Sequence, residues 1–238
     1  MNRRAKYDTM RRIGWLSSAL VLLAGVMVGQ QNGEWLAYGR DAGGERYSPL
    51  EDINRKNVAS LRVAWTFRTG DAYQPPRGRP TAFEATPLYV DGTLYLSTPL
   101  GRVIALDPVT GRQRWVFDAK VPRDAGYGDF ASRGVSTWQR GRERRIFVAT
   151  IDARLIALNA ATGKLIWYFQ MVHHDLWDYD LPAQPSLIDL RVDDRSIPAV
   201  VEVTKMGFVF VFNRVTGKSL FRIDERPVPQ SKDRKSVV

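Results

Sequence analysis

Between Val172 and Pro182 the chain places both of its histidines, three aspartates and a tryptophan, in the run His173-His174-Asp175-Leu176-Trp177-Asp178-Tyr179-Asp180. Carboxylates this close repel one another, and each requires a cation, a hydrogen-bond donor or water. Apolar, strand-like runs flank the segment and set it on a rigid scaffold. The chemistry open to it is proton abstraction or metal binding by an aspartate. The simpler alternative is a solvated acidic loop with a tryptophan tucked beneath it.

Composition narrows the choice. The chain has 238 residues, enough for one good core or two small domains. It has no cysteine, which excludes disulfides, thiolate zinc sites and thiol catalysis. A formal charge of +10 invites nucleic acid, but residues 1–12 carry +4 of it and residues 226–238 carry +3, leaving +3 for the body. No basic stripe is interleaved with stacking aromatics, so nucleic-acid binding is not expected.

The N-terminus reads as a targeting segment. A basic run ends at Arg12, an apolar run follows from Ile13 to Val28, and polar residues resume at Gln30. That run is short against the roughly twenty residues of a spanning helix, and matches the basic and apolar regions of a secretory signal. Residues 1–29 are therefore expected to be a signal peptide or an inner-membrane anchor. The remainder is expected outside the cytoplasm, in the periplasm or held at the inner membrane.

Three segments share one pattern: Ala105-Leu-Asp-Pro-Val-Thr-Gly111 followed by Trp115, Ala157-Leu-Asn-Ala-Ala-Thr-Gly163 followed by Trp167, and Val211-Phe-Asn-Arg-Val-Thr-Gly217 followed by Phe221. A period near fifty residues with strand-like content indicates a β-propeller with one four-stranded blade per repeat. Asp or Asn followed by Thr-Gly makes a tight turn in which glycine takes positive φ without steric cost. The aromatic beyond it can dock on the neighbouring blade. The fold class is therefore all-β, with about three blades. Their strands are expected near 86–90, 93–98, 102–106 and 112–117, then 134–138, 145–150, 153–159 and 164–169, then 186–190, 199–205, 208–213 and 219–224. A lone strand at Leu61–Arg68, bearing Trp65, precedes them.

Longer motifs carry a resemblance. The run Gly33-Glu-Trp-Leu-Ala-Tyr-Gly-Arg-Asp-Ala-Gly-Gly-Glu-Arg-Tyr-Ser-Pro-Leu50 resembles the start of the PQQ-dependent (quinoprotein) dehydrogenases of the membrane-associated glucose, polyol and quinate type. Phe83–Pro87, Gly128–Gly134, His173–Gln184, Thr204-Lys205 and Glu225–Gln230 resemble further segments of that family, so the likeness covers roughly residues 33–231. It implies an eight-bladed propeller with pyrroloquinoline quinone lying across its axis. It also implies a divalent cation, calcium or magnesium, that polarises the quinone carbonyl. Hydride then passes from a sugar or alcohol to the quinone, and electrons leave to ubiquinone. By the same resemblance Asp178 matches the general base and a metal ligand, and Lys205 matches the cation on the quinone oxygens. Arg133 matches a donor to a cofactor carboxylate, and Glu84 a polar residue at the cofactor rim. An ordinary blade-edge salt bridge is the alternative for Glu84 and Arg133. His173, His174 and Asp175 are expected to shape the loop.

The chain also departs from the family. Ile146–Ala157 resembles an early blade and Ala157–Asp180 a much later one, so the blades normally between them are missing. The propeller part is expected over 33–225 and a tail over 226–238, of which Asp233–Val238 does not resemble the family and is expected to be non-native. The competing readings are a non-enzymatic propeller scaffold of the cell envelope and an inactive fragment.

Overall fold

The computed structural model describes residues 33–226, apart from 42, 77, 126, 174 and 176. The expected signal or anchor segment, the tail beyond 226 and His174 lie outside the described residues. Among those described, the sole helical element is a 3-10 turn at Val58–Ser60, and no helix is long and apolar enough to cross a membrane.

Three sheets follow one another along the chain. The first runs in order through β2 (Leu88–Val90), β3 (Thr93–Ser97), β4 (Arg102–Leu106) and β5 (Gln113–Asp118). The second holds β6 (Ala131–Arg140), β7 (Glu143–Ala149), β8 (Arg154–Asn159) and β9 (Leu165–Gln170), with β1 (Ala82–Thr86) added in parallel beside β6. The third contains β10 (Ser186–Val192), β11 (Arg195–Val203) and β12 (Val209–Asn213), joined antiparallel.

Strand alternation explains how the sheets stack. Successive side chains point to opposite faces, and in these sheets both faces are apolar. Ile146, Val148, Ile156 and Leu158 join Leu88, Tyr95, Val103 and Ala105 in a core between the first two sheets. Their neighbours Phe147, Ala149, Leu155 and Ala157 join Val200 and Phe212 in a second core between the second and third sheets. Ile104 and Leu106 turn the other way, toward Trp65 and Phe67.

The repeated turns work as the chemistry requires. The Asp107 carboxylate accepts the N–H groups of Val109 and Thr110 at 3.1 and 2.9 Å. Asn159 does the same for Ala161 and Thr162 at 3.0 Å each, and Asn213 for Val215 and Thr216 at 2.9 and 3.0 Å. Gly111, Gly163 and Gly217 then take φ of 69°, 69° and 74°, the left-handed region that favours glycine. Each lies under an aromatic ring: a Cβ there would stand 2.6 Å from Trp65, 2.6 Å from Trp115 and 2.8 Å from Trp167. Glycine is thus required twice, by backbone angle and by the docked ring.

Three details differ from expectation. The segment 61–68 is extended and docks through Trp65 but pairs with no strand. The fourth strand expected at 219–224 is reduced to one bridge, Phe212 to Ser219, because Phe221 and Ile223 remain exposed with no neighbouring sheet to hold them. The parallel pairing of β1 on β6 was not anticipated, since sequence periodicity does not reveal which strand a short apolar run will join.

Candidate functional site

The loop between β9 and β10 carries the acidic run. Asp175 folds it: its Oδ1 accepts the N–H groups of Trp177 and Tyr179 at 3.0 and 2.9 Å. This Asx-type turn is how a short polar side chain substitutes for backbone pairing. Gln170 secures the entry by donating to the carbonyls of Asp152 and Val172 at 2.6 and 2.7 Å, and buried Leu181 anchors the exit. The loop presents Asp178 at φ 64°, which is uncommon for a residue with a Cβ and concentrates at functional positions. Trp177 is 74% exposed and is not tucked beneath the loop.

Lys205 comes from a separate turn after β11. Thr204 and Phe208 exchange backbone and hydroxyl hydrogen bonds across it, the Thr204 N–H reaching the Phe208 carbonyl at 3.0 Å. The ammonium meets Asp178 Oδ2 at 2.8 Å and Asp180 Oδ1 at 2.6 Å. The first contact is a hydrogen bond; the second lies off the hydrogen-bonding direction and leaves Asp180 Oδ1 buried with an ionic contact alone. Two carboxylates therefore share one cation. Burial pushes the Asp180 carboxyl up, and the attraction of Lys205 only partly offsets it while Asp178 and Asp175 add to it. Burial pulls the Lys205 ammonium down, but the pairing with Asp178 and Asp180 outweighs it and holds it above its ordinary value. The Asp178 carboxylate also lies over Gly128, where a Cβ would come within 3.1 Å of it.

Glu84 and Arg133 form an ion pair. They meet because β1 lies alongside the start of β6, with Phe83 opposite Ser132 and Thr86 opposite Gly134. Together with Tyr38 and Pro182–Gln184 they line a cavity of about 460 Å³. The stretch 178–184 thus joins the two pairs, with its first half on Lys205 and its second half in the cavity wall. His173 Nε2 stands 3.0 Å from Glu225 Oε1 at the surface.

All four expected site residues fall at this end of the strands, in two pairs: Asp178 with Lys205, and Glu84 with Arg133. Among the described residues no group of three or more histidine or carboxylate side chains converges as a metal site. From the sequence Asp180 could support a cation but was given no site role, and Gln184, whose amide donates to the Val135 carbonyl, was not singled out.

Comparison with known proteins fits this geometry. The family profile described as the PQQ-type glucose/ethanol/alcohol dehydrogenase β-propeller domain matches residues 35–166 and 155–237. The chain belongs to this family of quinoprotein dehydrogenase propellers. It is 35% identical to the dehydrogenase subunit of alcohol dehydrogenase (quinone) from Gluconobacter oxydans (strain 621H), over 86% of this chain and 26% of that protein. It is 26% identical to quinoprotein glucose dehydrogenase from Escherichia coli (strain K12), over 83% of this chain and 44% of that protein. Among solved structures, quinohemoprotein alcohol dehydrogenase from Comamonas testosteroni aligns with a TM-score of 0.63 and 28% identity, covering 79% of this chain and 26% of that one. The chain thus spans less than half the length of these relatives. The two profile matches overlap at 155–166, a stretch that contains the Ala157–Gly163 repeat.

Proposed function

We propose that this chain carries the proton-accepting and lysine part of a quinoprotein dehydrogenase site acting on a sugar or alcohol hydroxyl. The observation that carries the reading is the Lys205 ammonium set between Asp178 and Asp180, at 2.8 and 2.6 Å, beside a cavity walled by Arg133. A propeller serving only as a scaffold needs the Thr-Gly turns and docked tryptophans, but has no use for this arrangement.

The residues present suit pyrroloquinoline quinone, a flat tricarboxylate. Arg133 offers the planar fork that matches a carboxylate, and Lys205 a point cation. When bound, the cofactor supplies an electrophilic carbonyl that accepts hydride. Asp178 takes the proton of the substrate hydroxyl at a carboxylate oxygen. Lys205 orients that carboxylate through its bond to Oδ2, and Gly128 leaves room for it. Glu84 holds the Arg133 fork in place until a ligand carboxylate competes for it. Trp177, exposed beside the base, is placed to exclude water from a bound substrate.

The two carboxylates facing one ammonium also suit a cation, with Asp178 as one ligand. Calcium takes six to eight oxygens and magnesium six. Asp178 and Asp180 would supply part of such a shell, the remaining oxygens coming from the cofactor and water. Delivery of electrons to ubiquinone and a location in the periplasm, free or at the inner membrane, belong to the same proposal.

The test is reconstitution of the full chain with pyrroloquinoline quinone and Ca²⁺, followed by dye reduction with a panel of sugars and alcohols. Turnover is expected, falling at least about a hundredfold in Asp178→Asn while cofactor retention persists. Lys205→Ala is expected to lose retention itself. A wild-type chain that neither holds the cofactor nor reduces dye refutes the reading.

A further inference from the structure

A second cleft lies at the other end of the same strands. It opens between the β2–β3 hairpin of the first sheet and the β6–β7 hairpin of the second, and encloses about 510 Å³. Along β6, Arg133 at the candidate site and Gln139 at this cleft are six residues apart, about 20 Å at strand rise. The two sites are therefore separate.

Its lining is basic. Arg114, Arg142 and Arg144 border it, against a single lining carboxylate, Asp91. Arg114 donates to Thr93 Oγ1 at 2.7 Å and to Asp107 at 2.8 Å. Arg144 donates to Gln139 at 2.6 Å and pairs with Asp91 at 2.8 Å. Arg142 makes no ion pair among the described residues. The Arg144 side chain is 18% exposed and fixed at both ends of its fork, whereas Asp91 is 67% exposed on a hairpin tip. A guanidinium carries five donors, so each arginine keeps donors to spare. Tyr95 and Trp115, whose ring centroids lie 5.8 Å apart, also line the cleft.

We propose that this cleft is a binding site for a phosphate group, gripped by Arg114, Arg142 and Arg144 with Asp91 displaced. Bidentate guanidinium contacts to phosphate oxygens are strong and specific. Asp91 acts as an internal competitor: it occupies Arg144 when the site is free and swings into solvent when an anion enters. The proposal is independent of the dehydrogenase reading and uses none of its residues.

The test is isothermal titration of the full chain with inorganic phosphate at low ionic strength, alongside flotation with vesicles with and without phosphatidylglycerol. Saturable phosphate binding is expected, weakened at least tenfold in Arg142→Ala and by added NaCl. Asp91→Asn is expected to tighten binding severalfold, a gain that a misfolded variant cannot mimic. Asp178→Asn should leave it unchanged. If the anion is a lipid headgroup, flotation with phosphatidylglycerol vesicles is also lost in Arg142→Ala; if it is free phosphate, titration alone responds. No saturable binding at 10-fold molar excesses up to about 10 mM, or binding indifferent to both Arg142→Ala and Asp91→Asn, overturns the proposal.

Discussion

At the joint between the first two sheets, Trp115 of β5 lies over Gly163 and donates its indole N–H to the Ala160 carbonyl at 2.9 Å. At the next joint, Trp167 of β9 lies over Gly217 in the same way, yet its N–H has no acceptor. The carbonyl equivalent to Ala160 is that of Arg214, the residue after the turn asparagine. It is taken by buried Arg145, whose guanidinium donates to it at 2.8 Å. Arg145 and Arg214 also stack over the Trp138 ring, at 5.6 and 5.3 Å. A further polar group burdens the second joint: Glu202, 1% exposed, with no well-aligned hydrogen bond to either oxygen. It faces inward because strand alternation puts it in line with Val200, and Phe210 lies opposite it on β12. One repeat thus yields two joints of different quality. At the first, the Trp115 indole and the Tyr95 hydroxyl both donate to the Ala160 carbonyl; the second buries a guanidinium, an orphan indole and an orphan acid, each of which costs stability.

The sharpest way to break that contrast is truncation of the docked rings. Trp115→Ala removes a large side chain and a hydrogen bond, and should cost about 3–5 kcal/mol. Trp167→Ala should cost measurably less, since it removes packing but no hydrogen bond. Urea unfolding of the full chain measures both. Equal losses would mean that the two joints are equivalent.

Glu202 gives an effect of similar size, and one that depends on pH. Burial drives its carboxyl up to about 9 from an ordinary 4.5, against a weaker downward pull from the Val203 N–H. Between those values the folded chain keeps a proton that the unfolded chain has released. Stability should therefore fall as pH rises from 4.5 to about 9, by up to about 1.4 kcal/mol per pH unit, and change no further above that. Glu202→Gln carries no titrating proton, so it should flatten this slope and leave the protein more stable than wild type at pH 8. Unfolding midpoints at pH 5, 7 and 8.5 settle the matter; a wild-type profile that is flat or rising rejects a neutral buried acid.

What could be read beforehand follows the range of the physics involved. The turns at Asp107, Asn159 and Asn213 depend on backbone N–H groups two and three residues beyond the accepting side chain, so the repeat, its glycines and most strand positions were legible. The pairing of Asp178 with Lys205 spans 27 residues, and no local rule links them; family resemblance supplied it. Glu202 left a signal that went unused, a charged residue on the inward phase of Val200-Val201-Glu202-Val203-Thr204. The missing outer strand at 219–224 and the added strand β1 depend on what lies beside them, which local periodicity cannot report. The exchange of Trp167 for Arg145 at one carbonyl was illegible for the same reason: both repeats read alike until their neighbours are in place.

The finest test asks whether the orphan indole is the cause of the difference. Trp115→Phe keeps most of the ring and deletes its N–H, leaving the Ala160 carbonyl with the Tyr95 hydroxyl alone, at 3.2 Å. It should cost about 1 kcal/mol beyond the lost ring area. Trp167→Phe deletes a donor that pairs with nothing, and the same loss of area should be offset by relief of a buried unpaired group. Arg145→Met then supplies the control, because it frees the Arg214 carbonyl for Trp167. In that background Trp167→Phe should become costly, giving a coupling of about 1 kcal/mol between residues 145 and 167 in a double-mutant cycle. Additive effects would mean that Arg145 does not displace the indole, and that the second joint is weaker for its buried charge alone.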